Sequence, residues 1–220
     1  QHGYMANAID VMAQRIDVPL YYHGLRIMQH FLSGNWDAIK PHAFAAVQHG
    51  THDGDYPILL GRYFCARFWI HYLDFGTWDP QLTRDYLDCV QRLDPHFHCL
   101  LGMEFLPVVS IMGFHAPVLQ IMKSGAFEFD HRSTWSAAVD SDLSRLALML
   151  AEAQQGNVQV YLGLRSQLQT DFWYKAYRRY LQALCYASDL FVGIQSSEYT
   201  ESYHHFPGIQ KAVSLRTNKQ

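Results

Sequence analysis

Apolar residues recur at helical spacing along most of the chain, and Gly, Pro and Asp interrupt the pattern at intervals. The pattern predicts helices over 5–16, 19–33, 37–49, 57–74, 80–93, 96–112, 115–123, 133–155, 157–169 and 171–194. Asp79 before Pro80 is the clearest start signal, because the carboxylate accepts free backbone N–H groups and Pro loses no hydrogen bond there. Strand-like alternation is nowhere sustained. We therefore expect an all-α fold, a single compact array of about ten helices built from antiparallel helical hairpins.

The N-terminal half contains an internal repeat, with units over roughly 19–50 and 57–93. The repeated positions are Tyr22, Arg26, His30, Gly34, Trp36 and Asp37 in the first copy and Tyr63, Arg67, His71, Gly76, Trp78 and Asp79 in the second. The Tyr, Arg and His positions are 41 residues apart, and the Gly, Trp and Asp positions are 42 apart. Each unit is predicted to form a helix, a turn and a second helix, which is the size of an α-solenoid repeat.

Within each unit the Tyr, Arg and His are spaced i, i+4 and i+8, so they lie on one face of the first helix. We expect these side chains to share hydrogen bonds along that face, and the Trp of each turn to be buried between the two helices of its hairpin. The polar face has two interpretations. It is a packing seam with a solvated arginine, or it is a surface for a partner, in which case Arg26 and Arg67 are partner-binding residues.

Composition supports one large core rather than an exposed charged surface. Hydrophobic residues make up 49% of the 220 residues and charged residues 17%, below the usual quarter. We expect one helical domain over 1–220, with a polar tail at 196–220 that is partly irregular. The net charge of −3 does not predict nucleic-acid binding. The sequence shows no signal peptide and no apolar run long enough to span a membrane, so we expect a cytoplasmic protein.

Thirteen histidines require metal and haem sites to be considered. The loop at 49–55 combines His49, His52, Asp53 and Asp55, which are ligands that transition metals accept, but it also has the composition of an exposed turn. Nucleophile, phosphate-binding and zinc-protease motifs are missing from the sequence. We therefore predict no catalytic residue, no metal site and no cofactor. A His-rich helical enzyme that binds a small molecule, haem or metal remains an alternative.

The segment 171–180 places aromatic rings beside three cations. A helix here buries only one stripe, so part of this ring of side chains stays exposed. Tyr and Arg carry much of the binding energy in protein interfaces. We predict a partner-binding surface that includes Tyr174, Arg178 and Arg179, with the polar faces of the two repeats extending it.

A succession of short motifs resembles a known family. The motifs are Leu59-Leu-Gly-Arg-Tyr63, the apolar segment 100–112, Phe172-Trp-Tyr-Lys-Ala-Tyr177 and His204-His-Phe-Pro207. In this order they resemble the all-helical immunity proteins of bacterial polymorphic-toxin systems, especially those that neutralise PoNe-type DNase toxins. The resemblance implies a non-enzymatic protein that neutralises a cognate toxin by direct binding. A helical-repeat scaffold or adaptor is the second alternative.

Overall fold

The protein is helical throughout the part described by the computed structural model, which covers 19–50, 57–94, 97–124, 135–168, 170 and 175–217. Side chains at 100, 135–141 and 175–176 are not described. Over these ranges the chain forms α-helices and short 3₁₀ turns without any β-strand, so the predicted all-α class is confirmed. The helix predicted at 5–16 lies outside the described residues.

The two repeat units form the first two helical hairpins. Their helices are α1 (Pro19–Ser33), α2 (Ile39–His49), α3 (Pro57–Phe75) and α4 (Pro80–Arg92), with a 3₁₀ turn over Trp36–Ala38. The predicted start at Asp79 is confirmed, since its carboxylate accepts a 2.9 Å hydrogen bond from the backbone N–H of Gln81. A local sequence signal therefore sets the start of α4.

The remaining helices form the centre and the C-terminal half. They are α5 (His98–Gly102), α6 (Phe105–Ile111), α7 (His115–Met122), α8 (Trp135–Gln154), α9 (Val158–Arg165), α10 (Lys175–Phe191), α11 (Thr200–His204) and α12 (Pro207–Thr217). The segment 96–112 was predicted as one helix, but it is two helices with a break at Met103 and Glu104. Pro107 has no N–H to donate to the carbonyl of Met103, so a continuous helix would lose a hydrogen bond at this point.

Helix α6 lies at the centre of the core. Every residue from Phe105 to Ile111 is buried, and the helix packs against α3, α7, α8 and α12. A helix surrounded by neighbours has no polar face, which explains the continuous apolar run in this part of the sequence. None of the described helices is both long and apolar enough to cross a membrane.

The C-terminal tail is more ordered than its polar composition predicted. Helix α12 packs on α1, and its buried side chains Ile209, Ala212 and Val213 lie at helical spacing on one face. Gly208 makes the close approach possible, because a Cβ at this position would lie 1.6 Å from the carbonyl oxygen of Phe31. The last described helix, α12, therefore packs directly against the first described helix, α1.

The two repeated tryptophans differ in burial. Trp36 is 5% exposed and lies between Phe31 and Trp69, which confirms its predicted burial. Trp78 is only half-buried, and it packs against Phe68 and Phe114. The prediction that the Trp of each turn is buried was therefore wrong for Trp78. Its hairpin packs on other helices than the first hairpin does, so the same turn meets different neighbours.

Candidate functional site

In the second hairpin, the polar face of α3 is neutralised by α4. Arg67 Nη1 donates a 2.6 Å hydrogen bond to Asp85 Oδ2, and its guanidinium carbon lies 5.9 Å from the centre of the Tyr63 ring. Burial opposes the ionisation of Asp85, but hydrogen bonds from Gln81 and Arg67 outweigh it and lower the pKa of this carboxyl group. His71 lies at the end of the same face, with Nε2 3.1 Å from Thr77 Oγ1.

In the first hairpin, the equivalent face of α1 contains a hydrogen bond between Arg26 and Tyr22. Arg26 Nε donates to the hydroxyl of Tyr22 at 3.2 Å, and Arg26 Nη1 donates to Gln29 Oε1 at 2.8 Å. The expectation that tyrosine and arginine share hydrogen bonds along this stripe is therefore confirmed for the first copy.

Four histidines come together beside this stripe. His23 and His30 of α1 face His42 of α2, and the Nδ1 atoms of His23 and His42 are 3.0 Å apart. The ring of His30 stacks on that of His42 with a centre-to-centre distance of 5.5 Å, and the ring of His49 stacks on that of His23 at 6.2 Å. We call these four histidines, together with Tyr22 and Arg26, the histidine face.

Three imidazoles of the histidine face, those of His23, His30 and His42, favour the neutral form. Burial, assisted by three neighbouring cationic groups, lowers the pKa of His42 to about 4. These neighbours are His23, His30 and Arg26. Burial also lowers the pKa of His23 and of His30. At neutral pH these three rings therefore present uncharged imidazole nitrogens, which donate or accept hydrogen bonds according to their tautomer.

The internal repeat places His42 at the position of Asp85. The inward-facing residues of the two second helices match at a spacing of 43, as Ile39 with Leu82, Ala43 with Tyr86 and Val47 with Val90. At the same spacing His42 corresponds to Asp85, and each of the two side chains faces the stripe of its own hairpin. The two hairpins therefore differ in that an imidazole occupies the place where the second hairpin has a carboxylate.

The four arginines predicted for partner binding lie on three different helices. Arg178 and Arg179 are both exposed on α10, whereas Arg26 and Arg67 are half-buried in the first and second hairpins. Helix α10 packs mainly on α8 and α11, with further contacts to α12, which also packs on α1. Tyr174 lies outside the described residues. The described contacts thus bring Arg178 and Arg179 together, but they do not join this pair to the two stripes.

The described residues contain no group of three or more His, Cys, Asp or Glu side chains that is arranged to hold a metal ion. His23 and His42 approach each other as a pair, which is fewer ligands than structural or catalytic zinc sites use. The other potential ligands of the 49–55 loop, His52, Asp53 and Asp55, lie outside the described residues.

A second polar cluster links α9 to α10. Tyr161 donates a hydrogen bond to the buried carboxylate of Asp189, and Arg165 bridges that carboxylate to Glu198 at 3.2 and 3.1 Å. Arg165 Nη1 also lies 2.5 Å from Cys185 Sγ, yet burial raises the pKa of this thiol to about 12. A protonated, buried thiol is not a nucleophile, so we interpret the cluster as a structural link between the two helices.

The spacing of histidines in the sequence is a signal for the histidine face that the prediction of helices alone does not use. His23 and His30 are seven residues apart, and so are His42 and His49. Residues seven apart lie on the same side of a helix, so two such pairs on neighbouring helices are placed to meet. Which sides of the two helices face each other depends on packing, which the spacing does not reveal.

Comparison of the chain with models of known protein families, with curated proteins and with solved structures finds no match. Function is therefore inferred from the histidine face and from the exposed arginines of α10.

Proposed function

We propose that this protein is a non-enzymatic protein-binding protein, specifically an immunity protein that neutralises a cognate bacterial toxin by direct binding. The histidine face is the observation that carries the proposal. It gathers Tyr22, Arg26 and four imidazoles on one hairpin, and Tyr and Arg are side chains in which binding energy concentrates. The nature of the partner comes from the resemblance of the sequence motifs to immunity proteins.

The hairpin supports this role because its scaffold is packed before any partner arrives. Ile27 and Phe31 of α1 and Ile39 and Ala43 of α2 are buried beneath the polar side chains. Contacts between imidazole rings and the hydrogen bond from Arg26 to Tyr22 further restrict those side chains. A surface that is ordered beforehand loses less conformational entropy on binding, which favours affinity.

The exposed arginine pair on α10 offers a second contact region. The opposite side of the helix is packed in the core through the buried side chains of Leu181, Leu184 and Ala187. Arg178 and Arg179 therefore lie on the exposed side of a helix that packing holds in place. Guanidinium groups form paired hydrogen bonds with carboxylates, which makes an acidic protein surface a suitable match.

The test is co-expression with the product of the neighbouring gene, which the proposal expects to be a toxin, followed by measurement of cell survival and of affinity for the purified product. The variant Arg178→Glu with Arg179→Glu reverses the charge of the α10 pair. We expect binding to weaken tenfold or more, which corresponds to about 1.4 kcal/mol. The matched control is Arg84→Glu with Arg92→Glu, the same charge change at two exposed positions of α4.

Folding of each variant is verified by circular dichroism before binding is measured. Equal loss of protection in the α10 variant and in the α4 control would indicate a general charge effect, and would contradict a contact at Arg178 and Arg179. A wild-type protein that neither protects cells nor binds the toxin would overturn the proposed function itself.

A further inference from the structure

The second hairpin shows what the polar face of a repeat unit looks like when it holds a carboxylate. Asp85 accepts hydrogen bonds from Arg67 at 2.6 Å and from Gln81 at 2.6 Å, and it is about one-third exposed. The carboxylate is thereby fixed against the stripe of α3. In this hairpin, the negative charge that pairs with Arg67 is therefore supplied by Asp85 of the protein itself.

The first hairpin has imidazoles at the corresponding place. His42 stands at the repeat position of Asp85, and its ring contacts His23 and His30. All three rings are half-buried, so each remains accessible to a group arriving from solvent. In their neutral form they donate and accept hydrogen bonds, and in their protonated form they are cations that attract a carboxylate.

We infer that the histidine face binds a carboxylate side chain of an acidic protein partner against the imidazole of His42, which stands where the second hairpin has Asp85, and takes up protons on binding. This inference rests on the proposed protein-binding function and adds the chemistry of the partner. The carboxylate stabilises the imidazolium form of His42 and of its neighbours, so a proton is bound together with the partner. By linkage, affinity for the acidic group rises as the pH falls below the ordinary histidine pKa of 6.5, until the carboxylate itself becomes protonated at about pH 4.

The charged surroundings of His42 agree with this direction. The titratable groups that act on its ring are His23, His30 and Arg26 of α1, and each of them disfavours the protonated form in the free protein. Helix α3, which also packs on α2, contributes Asp74, but this carboxylate already pairs with Lys40. A bound anion would offset the repulsion that a protonated His42 meets from its cationic neighbours. Its binding should therefore raise the pKa of His42.

The test uses histidine resonances in NMR spectra recorded over a range of pH, with a capped hexaglutamate peptide as the acidic probe and capped hexaglutamine as the neutral control. In the free wild-type protein we expect His42 to titrate below its ordinary value of 6.5. The acidic peptide should raise the pKa of His42 by about half a unit or more. The neutral peptide should have no effect. His71 of the second hairpin, which lies on the repeat equivalent of this face, should not respond to either peptide.

The variant His42→Asp supplies the carboxylate from within the chain. We expect the pKa of His23 and of His30 to rise towards or above 6.5 in this variant, and the effect of the acidic peptide to disappear. The variant His42→Asn removes the ring without adding a charge, so it should reduce the response to the peptide without raising the pKa of His23. This second variant keeps the test informative if His42→Asp does not fold.

Three results would each overturn the inference. The first is a pKa of His42 at or above 6.5 in the free protein, which would show that its surroundings do not disfavour the imidazolium form that the carboxylate has to stabilise. The second is an equal response of His71 and His42 to the acidic peptide. The third is an unchanged pKa of His23 and His30 in folded His42→Asp. Failure of toxin protection in cells would overturn the proposed function and leave these titrations unaffected, so the two failures are distinguishable.

Discussion

Arg62 and Glu104 form a doubly hydrogen-bonded ion pair inside the protein. Arg62 Nε donates to Glu104 Oε2 at 2.7 Å, and Arg62 Nη2 donates to Glu104 Oε1 at 2.8 Å. The guanidinium carbon also lies 4.2 Å from the centre of the Tyr21 ring. The arginine comes from α3, the tyrosine from α1, and the glutamate from the break between α5 and α6. The pair therefore connects the two hairpins to the central helices.

Loss of one member of this pair should be strongly destabilising. The variant Glu104→Gln preserves the shape of the side chain but leaves the buried Arg62 cation without its counter-ion, so we expect the free energy of unfolding to fall by about 3–5 kcal/mol. Urea denaturation monitored by circular dichroism measures the change. The double variant Arg62→Met with Glu104→Met removes both charges and should lose less. Unchanged stability of Glu104→Gln would show that the pair is not buried as described.

Gly208 and Gly163 provide a matched pair of glycine substitutions. A Cβ at Gly208 would lie 1.6 Å from the carbonyl oxygen of Phe31, so Gly208→Ala should push α12 away from α1 and cost about 1–3 kcal/mol or more. At Gly163 of α9, no described atom outside the adjoining helix backbone and chain neighbours lies within 4 Å of the equivalent position, so Gly163→Ala should stabilise its helix by about 0.5–1 kcal/mol. Thermal denaturation compares the two. Equal effects would mean that α12 does not approach α1 closely.

The stability of the protein should decrease in mild acid through the histidine face. The pKa values of His23, His30 and His42 are lower in the folded protein than in the unfolded chain, so the unfolded chain binds protons first as the pH falls. The free energy of unfolding should therefore fall as the pH decreases through about 6.5 and continue to fall towards 4. Urea denaturation at several pH values measures this slope.

The variant His42→Gln should show a shallower loss of stability over the same pH range, because it removes the group with the lowest folded-state pKa of the face. The matched control is His71→Gln, the same imidazole-to-amide change on the polar face of the second hairpin, outside the histidine face. A slope that His42→Gln leaves unchanged would locate the acid sensitivity elsewhere in the chain.

The two repeated tryptophans should contribute unequally to stability. Trp36 is 5% exposed, and its replacement by alanine empties a core site, so we expect a cost of about 3–5 kcal/mol. Trp78 is half-buried, and Trp78→Ala should cost less, because part of its ring is in contact with water in the folded protein. Chemical denaturation of both variants measures the difference. A larger loss for Trp78→Ala would contradict the burial found in the two hairpins.

The helical class, most of the helix boundaries and the repeat could be predicted from the sequence alone. These features depend on backbone hydrogen bonds within one helix, on the spacing of apolar side chains and on signals such as Asp79 before Pro80, all of which act between neighbours in the chain. The break before Pro107 depends on a local signal of the same kind, the missing N–H of that proline. The spacing of apolar residues on its own predicts one continuous helix there.

The contacts between side chains that are distant in the sequence could not be predicted in this way. The tertiary structure paired Arg62 with Glu104, brought His23 against His42, and placed the polar C-terminal tail on α1 through Gly208. Helical spacing shows which residues share a face, but not which neighbouring helix covers that face. That choice follows from the packing of the whole array, because each helix buries its apolar stripe against elements that are remote in sequence.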